Sequence, residues 1–183
     1  MIIKKLSPLE AQKVAAGEVV ERPSNIVKEL VENALDAGAT KVTLILEEGG
    51  KSLISVIDNG VGMEPEDARI SFLRHTTSKL TKFDDLQDVR TFGFRGEALA
   101  SMCSVAQVTL TTRHQGQPAG LALTIAEGAI LREIVTGCPV GTTVEVKNLF
   151  YNLPARQKFL KSTTTELNQI TQLFKAFCVG RLD

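Results

Sequence analysis

Residues 26–38 read Ile-Val-Lys-Glu-Leu-Val-Glu-Asn-Ala-Leu-Asp-Ala-Gly, the pattern of an amphipathic helix that ends at a glycine. At about 100° per residue, one helical face collects Val27, Leu30, Val31, Ala34 and Leu35. Another face carries Glu29 and Asn33, an i, i+4 pair, together with Asp36. A carboxylate can deprotonate a water molecule and an amide oxygen suits a hard cation, so the pair could form half of a hydrolytic site. Taken alone, the pattern is more typical of a solvated helix face.

Length and composition indicate an ordinary globular chain of 183 residues, 43% hydrophobic and 23% charged, enough for one sizeable domain. No apolar run approaches the roughly 20 residues that span a bilayer, and no apolar signal segment follows Met1. This predicts a cytosolic protein with no membrane partner. Cys103, Cys138 and Cys178 are far apart among apolar neighbours, so we expect reduced, mostly buried thiols and no zinc site.

The net charge is zero but unevenly spread, because residues 147–183 hold six basic residues against two acidic ones. A basic end on a neutral chain is a mild indication of a nucleic-acid surface. Solvated helix faces have the same composition, so the charge alone does not separate the two interpretations.

Periodicity and turn residues divide the chain into a helical first part and a strand-rich second part. The first part contains predicted helices at residues 7–17 and 26–38, a hairpin of strands 41–48 and 52–58 around Gly49-Gly50, and a helix from residue 64. Later strands are predicted at residues 107–113, 119–126, 129–135 and 142–148. A short basic helix at 154–161 precedes a helix at 164–179, which should open with a Thr163–Glu166 capping box and turn inward Leu167, Ile170, Leu173, Phe174 and Phe177. The order predicts an α+β fold with helices layered on a largely antiparallel sheet.

Three further segments have residue types suited to ligand binding. At the end of a predicted strand, Asp58 precedes Gly60 and Gly62, which would let backbone approach a ligand while the carboxylate accepts a hydrogen bond, although a plain turn has the same pattern. Residues 74–99 join hydroxyls, a lysine and paired glycines at a helix start, which suits either a lid with an anion site or a flexible surface loop. A predicted strand starts with Gly141-Thr142-Thr143, which places a hydroxyl just after a glycine and could contact a ligand. Threonines are also common in strands because they are β-branched, so the segment could equally be ordinary strand sequence.

Together these segments resemble the four ATP-site motifs of the superfamily of gyrase, heat-shock chaperone, histidine kinase and MutL proteins (GHKL). The matching motifs are Glu29-x-x-x-Asn33-x-x-Asp36, Asp58-x-Gly60-x-Gly62, Gly93-Phe94-Arg95-Gly96-Glu97-Ala98-Leu99 and Gly141-Thr142-Thr143. Residues 15–23, 28–38 and 150–156 narrow the resemblance to the MutL family of DNA mismatch-repair proteins. Departures are few: Thr76 for alanine, Phe92 for leucine, and Gln157 for arginine, which removes a DNA-facing charge.

The resemblance covers residues 1–183 and implies a single N-terminal GHKL ATPase domain. Its expected fold is a two-layer α/β sandwich of the Bergerat type, with helices on one face of a mixed, mostly antiparallel sheet. Family members continue with a second domain, which contributes a lysine to the γ-phosphate, and with a C-terminal dimerisation domain. We therefore expect this chain to be a fragment that binds ATP but hydrolyses it poorly, and that is monomeric without nucleotide.

The resemblance also implies roles for individual residues. Glu29 would be the catalytic base that positions water, and Asn33 would bind Mg²⁺. Asp58 would accept from the adenine amino group, with Thr143 supporting it through water. The remaining implied ATP contacts are Ala37, Gly62, Met63, Thr77, Ser78, Lys79, Gly93, Phe94, Arg95, Gly96, Glu97, Ala98 and Leu99.

For the whole protein, the resemblance implies a slow ATPase that works as a conformational switch. ATP would order the lid and an N-terminal arm at residues 2–6, and two N-terminal domains would pair while nucleotide is bound. The implied partners are ATP, DNA, and mismatch-recognition and downstream repair proteins. The implied location is the cytoplasm and nucleoid of a bacterium, or the nucleus of a eukaryote.

Two other functions remain open at this point. One is a different GHKL member, such as a type II topoisomerase or a chaperone; the lid sequence at residues 94–98 and Pro154-Ala155-Arg156 disfavour it. The other is a non-enzymatic DNA-binding module with vestigial nucleotide motifs. The intact set of Glu29, Asn33 and Asp58 disfavours that function.

Overall fold

The structure, a computed structural model, describes residues 10, 16–17, 19–74, 76 and 96–180. Its described helices are α1 (Pro23–Asp36), α2 (Pro65–Ile70), α3 (Ala98–Val105), α4 (Pro154–Phe159) and α5 (Thr163–Val179). Its described strands are β1 (Val42–Glu47), β2 (Leu53–Asp58), β3 (Gln107–Arg113), β4 (Gly120–Ala126), β5 (Ala129–Thr136) and β6 (Gly141–Lys147). Every strand lies within one residue of its predicted bounds. The helix predicted at residues 7–17 falls largely outside the described residues.

The six strands form one sheet in the order β1-β2-β6-β3-β4-β5. All pairings among the described strands are antiparallel, so the mixed sheet implied by the resemblance has no parallel pair in this part of the chain. β6 is the last strand in the chain, yet it lies between β2 and β3. This insertion pairs the end of β2 with the start of β6, bringing Asp58 opposite Thr142.

One face of the sheet is apolar and carries the helices. The register aligns one residue from each of five strands in a continuous row: Leu44, Val56, Val144, Leu110 and Leu123. α1 packs on β2, α3 packs on β3 and β4, and α5 packs on α1 and on the turn between β1 and β2. The neighbouring row of paired residues has its side chains on the other face of the sheet, and it contains Ser55, Glu145, Thr109 and Thr124. The predicted α+β architecture of two layers is therefore confirmed.

Helix α1 ends in the way that its glycine predicted. Gly38 has a left-handed backbone (φ +71°) and its N–H donates to the Leu35 carbonyl at 3.0 Å. The Ala39 N–H donates to the Ala34 carbonyl at 3.0 Å, completing a Schellman motif. α1 begins at Pro23, three residues earlier than predicted, because a proline is well placed in the first turn of a helix.

The turn between β1 and β2 differs from the predicted two-residue hairpin turn. Glu48–Gly50 form a short 3₁₀ helix, in which Glu48, Gly49 and Gly50 all have positive φ. The Gly49 Cα lies against the first turn of α5, since a Cβ there would be 2.6 Å from the Thr163 carbonyl oxygen. Packing against α5 therefore sets the shape of this turn.

The start of α5 also departs from the predicted capping box. Ser162 is the N-cap, and its hydroxyl accepts from the Thr165 N–H at 3.2 Å. Glu166 is fully buried and accepts from the Lys161 N–H at 2.9 Å. Because Glu166 takes the inward position with Ile170, Leu167 turns away and is 42% exposed, contrary to the prediction. Leu173, Phe174 and Phe177 are partly buried against the core.

The three cysteines are free thiols in different environments. Cys103 is buried, Cys138 is half-buried and Cys178 is exposed, so the prediction of mostly buried thiols is wrong for Cys178. Burial raises the pKa of the Cys103 thiol to about 12, which keeps it protonated and unreactive at neutral pH. None of the described helices is both long and apolar enough to cross a membrane.

Candidate functional site

The polar strip of α1 is half-buried. The side chain of Glu29 is 32% exposed, and Asn33 is also of intermediate burial. The Lys28 ammonium lies 3.8 Å from Glu29 Oε1 and 2.7 Å from Glu32 Oε1, so it is held chiefly by Glu32. Glu32 is only 7% exposed, and the sequence pattern did not single it out. α1 therefore presents Glu29 and Asn33 one turn apart, with a cation fixed beside the carboxylate.

Asp58 lies at the end of β2 with its carboxylate held by backbone. Its Oδ1 accepts from the Gly60 N–H at 2.8 Å and from the Thr142 N–H at 3.3 Å. Neither bond uses Oδ2. Burial raises the pKa of the Asp58 carboxyl above its ordinary value of 3.8, while the two backbone hydrogen bonds oppose that shift. The carboxylate is thus a fixed acceptor that keeps one oxygen for another donor.

The loop after β2 is anchored to the C-terminal end of α1. The Val61 N–H donates to the Ala37 carbonyl at 3.1 Å. Gly60 packs closely there, since a Cβ on this residue would lie 2.7 Å from the Ala37 carbonyl oxygen. Asn59 completes the junction by accepting from the N–H groups of Thr40 and Lys41 at 3.0 and 2.8 Å.

These contacts bring several predicted site residues together. Asp58 lies beside the end of the helix that carries Glu29 and Asn33, and the eight steps of the chain from Glu29 to the C-cap residue Ala37 rise about 12 Å. Ala37, Gly62 and Met63 lie in the same junction or in the loop that follows it. The site therefore has an acceptor at one end and a carboxylate–amide pair further along the same helix.

At the start of β6, the structure places Thr142 beside Asp58 instead of Thr143. Thr142 pairs with Asp58 across the sheet, is 8% exposed, and its hydroxyl lies 3.0 Å from that of Thr112. Thr143 pairs with Ile57 and Thr111, on the opposite pleat and so on the other face of the sheet. The sequence pattern could not decide between two adjacent threonines, because only the register fixes their faces.

The predicted phosphate-binding segment is described only in part. Gly96 has a φ of +62°, and α3 begins at Ala98 with Glu97 as its N-cap residue. Ala98 and Leu99 are half-buried against the core. The other predicted contacts of this segment lie outside the described residues: Thr77, Ser78, Lys79, Gly93, Phe94 and Arg95.

The donor set on α1 fits a magnesium ion that takes most of its ligands from elsewhere. Mg²⁺ typically binds one or two protein oxygens and completes its shell with water and substrate phosphates. Among the described residues, no cluster of three or more His, Cys, Asp or Glu side chains could hold a metal by itself. Asn33 could supply one such oxygen, so the polar face of α1 suits an ion that arrives with phosphate ligands, while the Glu29 carboxylate lies one turn away.

Comparison with known proteins shows the family to which the chain is similar. Residues 21–138 match the family described as histidine kinase-, DNA gyrase B- and HSP90-like ATPases. The DNA mismatch repair protein MutL of Koribacter versatilis is 53% identical over 178 residues, and that of Desulforamulus reducens is 50% identical over 178 residues. Each alignment covers 97% of this chain and 28% of the relative, so the chain spans little more than a quarter of their length.

A solved structure has the same fold. The Aquifex aeolicus MutL ATPase domain complexed with ADP is 39% identical to this chain and superposes with a TM-score of 0.68. The match covers 87% of this chain and 55% of that chain. This chain therefore belongs to the family of histidine kinase-, DNA gyrase B- and HSP90-like ATPases, and within that family it is an ATPase domain of the MutL type.

Proposed function

We propose that this chain binds ATP with Mg²⁺ and is the nucleotide-dependent switch domain of a DNA mismatch-repair protein. The observation that carries the proposal is the Asp58 carboxylate, fixed through Oδ1 at the end of the helix that bears Glu29 and Asn33. Adenine offers an exocyclic amino group, which is a donor suited to the remaining oxygen. The ADP complex of the Aquifex aeolicus relative supports the same ligand class.

In this proposal Glu29 positions and deprotonates the attacking water, and Asn33 holds Mg²⁺. When bound, the ion would neutralise phosphate charge. The chain itself supplies positioning, because phosphoryl transfer asks for little covalent chemistry from the protein. Thr77, Ser78 and Lys79, together with the amides of residues 93–99, are proposed to surround the phosphates.

For the longer protein we propose a slow ATPase cycle. Nucleotide binding would order the lid and permit an N-terminal homodimer, which would engage DNA and other repair proteins. The named relatives are bacterial, which supports a cytoplasmic location.

Calorimetric titration with a non-hydrolysable ATP analogue, with and without Mg²⁺, tests the site. Asp58→Asn should weaken binding about tenfold to a hundredfold, because a charge-assisted hydrogen bond is lost. Asn33→Ala should remove the gain in affinity that Mg²⁺ provides. Asp67→Asn and Asn168→Ala, at exposed helix positions, are matched controls and should bind like the unmodified chain.

Glu29→Ala separates chemistry from binding in the same experiment. The analogue should bind nearly normally, while residual ATP hydrolysis should disappear. Loss of binding in Glu29→Ala would contradict its assignment as the base. A flat titration of the unmodified chain would contradict the nucleotide function and favour a DNA-binding module without nucleotide.

A further inference from the structure

Glu32, on α1, is a buried carboxylate to which the proposed mechanism gives no role. Its side chain is 9% exposed, whereas the side chains of Glu29 and Lys28 are 32% and 46% exposed. A carboxylate that leaves water needs a cation or hydrogen-bond donors, because burial disfavours its charge. The Lys28 ammonium is such a partner, at 2.7 Å from Oε1 and 2.9 Å from Oε2 of Glu32.

Lys28 also lies beside the proposed catalytic base. Its ammonium is 3.8 Å from Glu29 Oε1, against 2.7 Å from Glu32 Oε1. Helix geometry explains the difference, because residues at i and i+4 share a face, while adjacent residues do not face each other. Two carboxylates therefore compete for one ammonium, and Glu32 holds it.

This competition matters for the water molecule that Glu29 is proposed to activate. A general base needs a carboxylate oxygen that is available to accept the proton of water. An ammonium paired closely with Glu29 would occupy that oxygen with a charge-assisted hydrogen bond. The flexible four-carbon stem of lysine allows the ammonium to turn from one carboxylate to the other once its present partner is removed.

We propose that Glu32 is a positioning residue for hydrolysis: it holds the Lys28 ammonium away from Glu29, so that the Glu29 carboxylate stays available to the attacking water. This inference rests on the proposed function, in which Glu29 is the base. Because Glu32 acts through Lys28, its removal should change the rate of hydrolysis and not the affinity for nucleotide.

The test combines single-turnover ATP hydrolysis, with the chain in excess, and calorimetric binding of a non-hydrolysable ATP analogue. Glu32→Gln keeps the side-chain shape but releases Lys28 to Glu29, and should slow hydrolysis about tenfold while analogue affinity changes by less than about twofold. Adding Lys28→Met to Glu32→Gln removes the released ammonium and should recover most of the lost rate. Lys28→Met alone should lower the melting temperature, because it leaves Glu32 buried without its cation. Glu145→Gln, the control, breaks an ion pair with Lys147 on β6 and should change neither rate nor affinity.

Recovery in the double variant distinguishes this role from a purely structural one, which predicts that the double variant is at least as slow as Glu32→Gln. An unchanged rate in Glu32→Gln, an equal loss of rate and analogue affinity, or no recovery in the double variant would each overturn the role of Glu32. If Glu32→Gln does not fold by circular dichroism, Glu32→Met carries the same expectation. Analogue binding without any hydrolysis by the unmodified chain would contradict this inference and the hydrolytic part of the proposed function. A flat titration would contradict the nucleotide function itself.

Discussion

Asp58 combines two demands that oppose each other. Burial disfavours its charge, yet an ionised carboxylate is the acceptor that the proposed site needs. The Gly60 and Thr142 N–H groups reduce the conflict by stabilising the charge through Oδ1. Because the folded-state pKa is raised, stability from this group is present below its unfolded pKa and is lost as the pH rises through the folded pKa. At neutral pH, Asp58 therefore costs folding free energy in exchange for function.

We expect acid to weaken adenine-nucleotide binding from a pH above the ordinary aspartate value of 3.8. Oδ1 already accepts two hydrogen bonds, so an added proton goes to Oδ2 and converts the ligand-facing acceptor into a donor. The measurement is ADP affinity against pH in the unmodified chain and in Asp58→Asn, which cannot gain this proton. Dividing the ADP affinity of the unmodified chain by that of Asp58→Asn cancels the titration of the nucleotide phosphates. This quotient should fall towards acid pH.

The same pair of proteins provides a stability readout. Without nucleotide, Asp58→Asn should melt at an equal or higher temperature than the unmodified chain at neutral pH, and the difference should shrink on acidification. Two results would contradict this account of Asp58. One is a ratio of the two ADP affinities that does not change with pH, and the other is a melting temperature of Asp58→Asn far below that of the unmodified chain at neutral pH.

At the scale of single residues, spacing predicted which side chains lie close together only where helical geometry alone decides it. Glu29 and Asn33 lie one turn apart because every helix places i and i+4 on one face. Thr112 and Thr142 were not predicted as a pair, because 30 residues separate them and only the β3–β6 register makes their hydroxyls meet. Glu32 was missed because its burial depends on tertiary packing.

The ends of the elements show how tertiary packing modifies local signals. Gly38 closed α1 as predicted, because the Schellman motif is made within the helix and its next residues. The start of α5 did not follow its local signal, since Ser162 took the capping role and Glu166 turned inward to accept from Lys161. The 3₁₀ turn at Glu48–Gly50 packs on the same helix start. Contacts between elements therefore determine both the start of α5 and the shape of the 3₁₀ turn.

Glu166→Ala should destabilise the fold by about 1–3 kcal/mol, because it leaves the Lys161 N–H without its acceptor and removes a buried side chain. Chemical denaturation followed by circular dichroism measures the change in the free energy of unfolding. Glu47→Ala, at an exposed position of β1, is the control and should change stability by less than about 0.5 kcal/mol. Equal losses in the two variants would show that the Glu166 contact does not hold the start of α5.

At the scale of the molecule, the insertion of β6 between β2 and β3 assembles the site. Hairpin pairing of neighbouring strands followed from turn residues, but the β2–β6 pair joins Asp58 to a residue 84 positions away. Local periodicity contains no information on that distant register. The layered fold was therefore predictable from the sequence pattern, while the contact between Asp58 and Thr142, at the proposed base-binding end of the site, required the topology.

The surface charge of the molecule leads to the last prediction, which concerns the proposed DNA contact. Lys158 and Lys161 are exposed near the junction of α4 and α5, where the sequence is most basic. If this surface contacts phosphates, Lys158→Ala and Lys161→Ala should each weaken duplex DNA binding and reduce the slope of log K against log salt by about 0.9. Fluorescence anisotropy of a labelled duplex across a salt series measures both quantities. Arg132→Ala, exposed on β5, removes the same charge elsewhere and should leave the slope unchanged. An equal effect of all three substitutions would indicate that DNA is attracted to positive charge in general. That result would contradict the proposal that the α4–α5 surface is the DNA contact.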